Sequence, residues 1–175
     1  MVEEFGSENV IGGDVASVGV VMGSSSDWEA LKPCCATLEK LGIPYERYVI
    51  SAHRTPDRCA RYAQGAEERG LKAIIAAAGM SAHLAGVIAA STLLPVIGIP
   101  MKTSMMGGLD SLLSIVQMPR GIPVATVAVG SAGAQNAALL AARFLALSDG
   151  DLRSRLDGVR DEMVEAASGQ TPWSS

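Results

Sequence analysis

Between residues 73 and 101 the chain carries no Asp, Glu, Lys or Arg. A run that long must be hidden from water, and few arrangements hide it. It is long enough to span a bilayer. But Gly79, Ser81, His83, Gly86, Ser91, Pro95, Gly98 and Pro100 interrupt it. Its ends fall in strand-type segments, Lys72–Ala77 (apolar from Ala73 on) and Pro95–Ile99, and its middle is Ala-rich. A strand–helix–strand unit buried inside a protein explains this better than a membrane helix. Strands written as unbroken apolar runs are covered on both faces, the signature of a parallel sheet.

The rest of the chain repeats the pattern. Val18–Met22 is a second such run, followed by a helix with Trp28, Leu31, Cys35, Leu38 and Leu41 at helical intervals, stopped by Gly42. Ser26 and Glu29 have capping-box spacing at its start. Tyr45–Ile50 is a strand. Thr55 caps the next helix, with Pro56 and Asp57 in its first turn, and Gly70 closes it. After the 73–101 unit, whose helix runs to about Ser91, Gly107 and Gly108 precede a short helix, DSLLSIVQMP. Val124–Val129 is a fifth strand, and helices follow over 132–147 and 151–167. Alternating strand and helix predict one α/β domain over 17–167: a three-layer, flavodoxin-like (Rossmann-like) sandwich around a central parallel sheet. Residues 1–16 and 168–175 read as flexible tails.

Composition narrows the function. Hydrophobic residues make up 49% of the 175 and charged residues 18%, with net charge −4. An acidic chain without a basic stripe does not carry the footprint of nucleic-acid binding, and no membrane anchor is expected. Cys34, Cys35 and Cys59 are odd in number and lack C-x-x-C spacing. They read as small core residues in a reduced, cytoplasmic protein. Two His without carboxylate or Cys at ligand spacing make no zinc site. Gly130-Ser-Ala-Gly133 is only part of a dinucleotide turn, and neither a Walker lysine pattern nor G-x-S-x-G occurs.

In a flavodoxin-like order the loops after the first three strands are neighbours. They are GSSSD, SAHRTPD and GMSAHL, where an apolar chain concentrates its polar residues. Ser24, Ser25 and Ser26 at a helix start suit a phosphate, or simply cap the helix. Asp27 would repel a phosphate but accept from sugar hydroxyls, so a phosphorylated sugar accounts for both residue types. Arg54 can grip a phosphate or carboxylate, or form a surface ion pair with Asp57. His53, at a strand's end, can give and take a proton, or serve as a hydrogen-bonded structural histidine. His83 enters a helix among Ala, Leu and Gly, where it can bond a neighbouring loop.

GSSSDW (23–28), SAHRTPD (51–57), AHL (82–84), DSLLSIVQMPRGIPVAT (110–126) and NAALLAA (136–142) resemble the PurE family, the class I 5-(carboxyamino)imidazole ribonucleotide mutases of purine biosynthesis. The resemblance runs from about Val18 to Arg155. It implies a homo-octamer acting on a small phosphoribosyl-imidazole without ATP, metal or organic cofactor. It implies that Ser24, Ser26 and Asp27 bind the phosphoribosyl part and that Ser51 and Arg54 also touch the nucleotide. His53 becomes the general acid/base, and Gly79, Met80, His83 and Leu84 line the base and carboxylate end. On this reading His53 protonates the exocyclic nitrogen as carbon dioxide leaves. A dry pocket with N–H donors near Ala82 keeps the gas, and the same imidazole removes the proton at the ring carbon. The family's usual AGGAAHLPG reads AGMSAHLAG here, with Met80, Ser81 and Ala85 as the departures. A related branch that carboxylates aminoimidazole ribonucleotide directly tends to SAHKT, which Arg54 and Pro56 disfavour. A non-catalytic phosphonucleotide-binding module of the same fold is the third reading. From His83 to Ala142 only Lys102, Asp110 and Arg120 are charged, a surface that subunit contacts would cover. The 104–123 stretch reads as a lid, as a reach toward a neighbouring subunit, or as a core loop.

Overall fold

The structure, a computed structural model, describes residues 5–169. Six strands form one sheet: β1 (Val10–Ile11), β2 (Val18–Met22), β3 (Tyr45–Val49), β4 (Ala73–Ala78), β5 (Val96–Pro100) and β6 (Ala125–Thr126). Their spatial order is β1-β3-β2-β4-β5-β6. β3, β2, β4, β5 and β6 run parallel, which is the flavodoxin-like order expected. The departure is β1, which pairs antiparallel with β3 through Val10–Glu46 and Ile11–Tyr45.

The continuous apolar runs have the cause expected of them. Val18, Val20 and Met22 of β2 and Ala73, Ile75 and Ala77 of β4 face one side. There they meet α1 (Trp28–Lys40) and α5 (Ser131–Leu145). Val21, Ile74, Ala76 and Ala78 face the other, under α2 (Pro56–Gln64) and α3 (Leu84–Ala89). Period-two alternation therefore feeds two cores rather than one core and water. Gly19 belongs to this scheme: a Cβ there would lie 2.2 Å from the Tyr62 hydroxyl oxygen of α2. α4 (Leu109–Val116) packs Ile115 beside β5. α6 (Gly150–Ser168) lies outside α5, tied to α1 by Lys40 with Glu162 and to Leu41 O by Arg155 Nε at 2.9 Å. No described helix is long and apolar enough to cross a membrane; the 73–101 run is β4, α3 and β5.

The N-terminal segment departs from expectation. Residues 5–11 are packed onto the sheet instead of forming a tail. Phe5 is buried, its ring 5.3 Å from Tyr48 and 5.2 Å from Tyr62, both edge-on. The Arg69 guanidinium lies 5.0 Å from the Phe5 ring and pairs with buried Glu46 at 3.0 Å. One phenylalanine in an acidic stretch gives little local signal; its burial is decided by partners forty and more residues away. The expected tail over 168–175 lies outside the described residues apart from Ser168, which ends α6, and Gly169. The fifth expected strand is also shorter. Only Ala125 and Thr126 join the ladder, although Val127 N–H still reaches Gly98 O at 3.1 Å. The three cysteines are free and buried, Cys34 and Cys35 in α1 and Cys59 in α2. Burial pushes the Cys59 thiol up to about 11, away from thiolate chemistry. Gly133, from the partial dinucleotide motif, serves packing: a Cβ would lie 1.6 Å from Ala128 O.

Candidate active site

The three polar loops meet at the carboxyl ends of β3, β2 and β4, as the strand order requires. Backbone hydrogen bonds lock their roots. Gly23 N–H donates to Ala77 O at 3.0 Å, and Ile50 N–H to Met22 O at 2.9 Å.

In the first loop, Ser24 is extended and caps a 3₁₀ turn over Ser25–Asp27 that runs straight into α1. Its Oγ accepts the Ser26 N–H at 3.3 Å and the Ser26 hydroxyl at 2.8 Å. The cap is thus Ser24, not Ser26, and Glu29 pairs with Lys32 at 2.7 Å instead of closing a capping box. The inserted 3₁₀ turn is what moves the cap upstream. Asp27 sits half-buried at the start of α1. Burial raises its carboxyl above the ordinary value, against the lowering effect of hydrogen bonds from the Ser26 side chain and the Ser24 backbone.

The second loop is folded around Ser51. Its Oγ accepts Arg54 N–H at 3.1 Å and Arg54 Nε at 3.3 Å, and its carbonyl accepts the Thr55 hydroxyl at 2.9 Å. Thr55 therefore precedes α2 without capping it through its side chain. Arg54 Nη2 continues to Gly23 O at 3.3 Å. The guanidinium is held against the root of the serine loop, a position from which it can reach an anion.

His53, exposed at the tip, meets exposed His83 of the third loop. His53 Nε2 and His83 Nδ1 are 2.7 Å apart, with ring centroids at 4.8 Å and planes at 81°. The third loop is bent at Met80, whose φ of +59° is left-handed. Ser111 Oγ of α4 accepts Met80 N–H at 2.9 Å, and the Ser114 hydroxyl donates to Met80 O at 3.2 Å. Sequence reading missed these two serines. Their signal is two hydroxyls three residues apart in a helix whose other residues, Asp110 apart, are apolar. Gly79 is half-buried against Met101 and Thr103. The N–H groups expected to serve a ligand near Ala82 are engaged locally, Ala82 to Met80 O at 2.9 Å and His83 to Ser81 O at 2.7 Å. The Leu84 side chain is buried in the core beneath α3, so of that residue only the backbone is placed to meet a ligand. Of the 104–123 stretch, α4 is core-packed through Ser111 and Ile115, while Met105 and Met106 are exposed beside it.

Ser24, Ser26, Asp27, Ser51, Arg54, His53, Gly79, Met80 and His83 thus share one rim. It offers hydroxyl and guanidinium groups for an anion, a carboxyl for hydroxyls, and an imidazole pair for proton transfer.

Comparison with known proteins adds independent evidence. Residues 17–166 match the family model described as AIR carboxylase. The chain is 57% identical over 144 residues to the N5-carboxyaminoimidazole ribonucleotide mutase of Bacillus subtilis (strain 168), covering 82% of this chain and 89% of that one. It is 53% identical over 154 residues to the enzyme of the same name from Escherichia coli (strain K12), covering 86% and 91%. Among solved structures, Treponema denticola PurE superposes with a TM-score of 0.77 at 29% identity, over 86% of this chain and 92% of that one.

Proposed function

The chain belongs to the AIR carboxylase family, and from that premise we propose how its rim performs the reaction for which its relatives are named. The protein is a mutase, an isomerase of purine biosynthesis acting on a small imidazole ribonucleotide. It moves the carboxylate of 5-(carboxyamino)imidazole ribonucleotide from the exocyclic nitrogen to a ring carbon.

The observation that carries the site assignment is the convergence of His53 with the Ser24–Arg54 cradle. Arg54 is hydrogen-bonded to Ser51 and Gly23, which supports a phosphate site in the serine loop beside the loop that carries His53. Ser24, Ser26 and Arg54 hold the phosphate, and Asp27 accepts from the ribose. These contacts bring the imidazole ring of the substrate under His53, which His83 holds from behind, with Gly79 and Met80 flanking its carboxylate.

Cationic His53 then gives its proton to the exocyclic nitrogen as the carbon–nitrogen bond breaks, and the bonding pair stays on nitrogen. Carbon dioxide is released beside the electron-rich ring carbon. That carbon attacks it, and neutral His53 takes the proton from the new tetrahedral centre. The imidazolium is restored, so one residue serves both transfers and no second base is needed.

Assembly into a homo-octamer in the cytoplasm completes the proposal. Leu93 is fully exposed, and Met105, Met106, Leu113 and Val116 are exposed, apolar surface of the kind that subunit contacts cover. Sedimentation of the purified protein tests the octamer; a monomer refutes it.

The decisive assay supplies the carboxyamino nucleotide without bicarbonate and follows product carboxylated on the ring carbon. Direct turnover is expected. Conversion only from aminoimidazole ribonucleotide plus carbon dioxide overturns the mutase reading. His53→Asn is expected to abolish turnover while the folded protein still binds substrate; retained turnover removes His53 from its role.

A further inference from the structure

His53 and His83 are the chain's only two histidines. They stand 30 residues apart in sequence, yet β3 and β4 flank β2 and bring them to 2.7 Å. Both rings are exposed, so packing does not force them together. Ordering two exposed side chains costs rotamer entropy, which a specific contact must offset. Among the described residues this is the one hydrogen bond of either ring.

A hydrogen bond between two imidazoles holds one proton: one nitrogen donates and the other accepts. We propose that His83 is a positioning residue whose Nδ1 accepts the Nε2–H of His53 throughout the cycle, leaving Nδ1 of His53 as the nitrogen that exchanges a proton with substrate. This rests on the reading of His53 as the acid/base. In the cationic state His53 carries protons on both nitrogens, and the Nδ1 proton goes to the exocyclic nitrogen. The neutral ring left behind keeps Nε2–H toward His83 and presents a bare Nδ1. When the ring carbon has bonded to carbon dioxide, its C–H proton moves to that Nδ1, and the C–H electron pair returns to the ring. The Nε2 proton never leaves. His83 keeps the lone pair of Nδ1 on this bond, its own proton being on Nε2.

Without His83, neutral His53 divides between two tautomers, and the one protonated on Nδ1 cannot act as the base. The logic is that of a third group that fixes a catalytic imidazole's tautomer, performed here by a second imidazole.

The test uses the full-length protein and its own substrate. His83→Ala is expected to lower kcat by about 10²-fold, the scale of a misplaced catalytic group, with KM little changed. His83→Asn, whose amide oxygen can stand where Nδ1 stood, recovers most of that loss. With ¹⁵N-histidine labelling there are four ring nitrogens in all. Neutral His53 is expected to show a protonated Nε2 and a bare Nδ1 in the native protein, and a mixture in His83→Ala. A raised KM with unchanged kcat overturns the proposal, because His83 then touches substrate instead of holding His53. Identical His53 nitrogen signals in native protein and His83→Ala overturn it too, as does Asn failing where Ala fails. His53→Asn keeps the two readings apart. An active His53→Asn defeats the acid/base reading itself; an inactive one beside a fully active His83→Ala defeats only the positioning role.

Discussion

Met80 offers a direct test of how the third loop is held. Its φ of +59° places a side-chain-bearing residue in the left-handed region, at a cost of about 1–2 kcal/mol. The bonds that fix it, from its N–H to Ser111 Oγ and from the Ser114 hydroxyl to its carbonyl, use only backbone atoms of residue 80. They survive any replacement there except proline. The side chain is 70% exposed, so shortening it forfeits little burial. Met80→Gly removes the left-handed penalty but adds unfolded-state freedom, worth about 0.5–1 kcal/mol in the other direction. Met80→Ala keeps the penalty and removes the long side chain, which makes it the proper reference. Glycine is therefore expected to exceed alanine in stability by about 0.5–1 kcal/mol. For a domain of this size that is a rise in Tm of about 1–4 °C. Differential scanning calorimetry of both variants at one protein concentration measures it, since assembly makes Tm concentration-dependent. Met80→Gly melting at or below Met80→Ala would show that the loop carries no such strain.

Other outcomes follow from neighbouring contacts. Ser111→Ala leaves the Met80 N–H without its acceptor, a cost of about 1–3 kcal/mol, and hydrogen exchange over 79–83 should quicken. Unchanged protection there would remove Ser111 from the loop's support. Phe5→Ala opens the cluster with Tyr48, Tyr62 and Arg69. A core Phe→Ala costs about 3–5 kcal/mol, but a two-residue strand can peel away instead, so a loss of about 2 kcal/mol in urea unfolding is expected; none at all would mean the ring is not buried in solution. Because burial raises the Asp27 carboxyl, the folded state binds its proton more tightly than the unfolded state. That contribution to stability is complete below the unfolded value and declines as pH rises through the folded value. Asp27→Asn should therefore unfold at higher temperature near neutral pH while binding substrate less well. A lower Tm there would show that the carboxylate stabilises the fold.

What the sequence made legible divides along physical lines. Val18–Met22, Ala73–Ala78 and Val96–Pro100 could be read because both faces of each strand are covered, so every residue reports burial. The rim could be read because hydroxyls, Arg54 and His53 interrupt an otherwise apolar chain at the ends of those strands. What escaped depends on partners distant in sequence. Phe5 is buried by Tyr48 and Tyr62. That His83 bonds a neighbouring loop was legible from the expected strand order; that its partner there is His53 was not. The cap fell on Ser24 and not Ser26 because the chain makes a 3₁₀ turn before α1, a choice that spacing rules do not resolve. Ser111 escaped because a serine buried in a helix has the same letter as one in solvent; its role appears only when the Met80 amide points at it.

The antiparallel strand at residues 10–11 has a further meaning for the molecule's behaviour at high concentration. It lies upstream of the family match, which begins at residue 17. A sheet whose outermost parallel strand is left bare offers its amides and carbonyls to any passing chain, the usual seed of strand-to-strand aggregation. Here Val10 and Ile11 occupy that margin, and Phe5 pins them down. Versions of this protein trimmed to the family match should precipitate sooner than the full chain, even if they turn over substrate equally well.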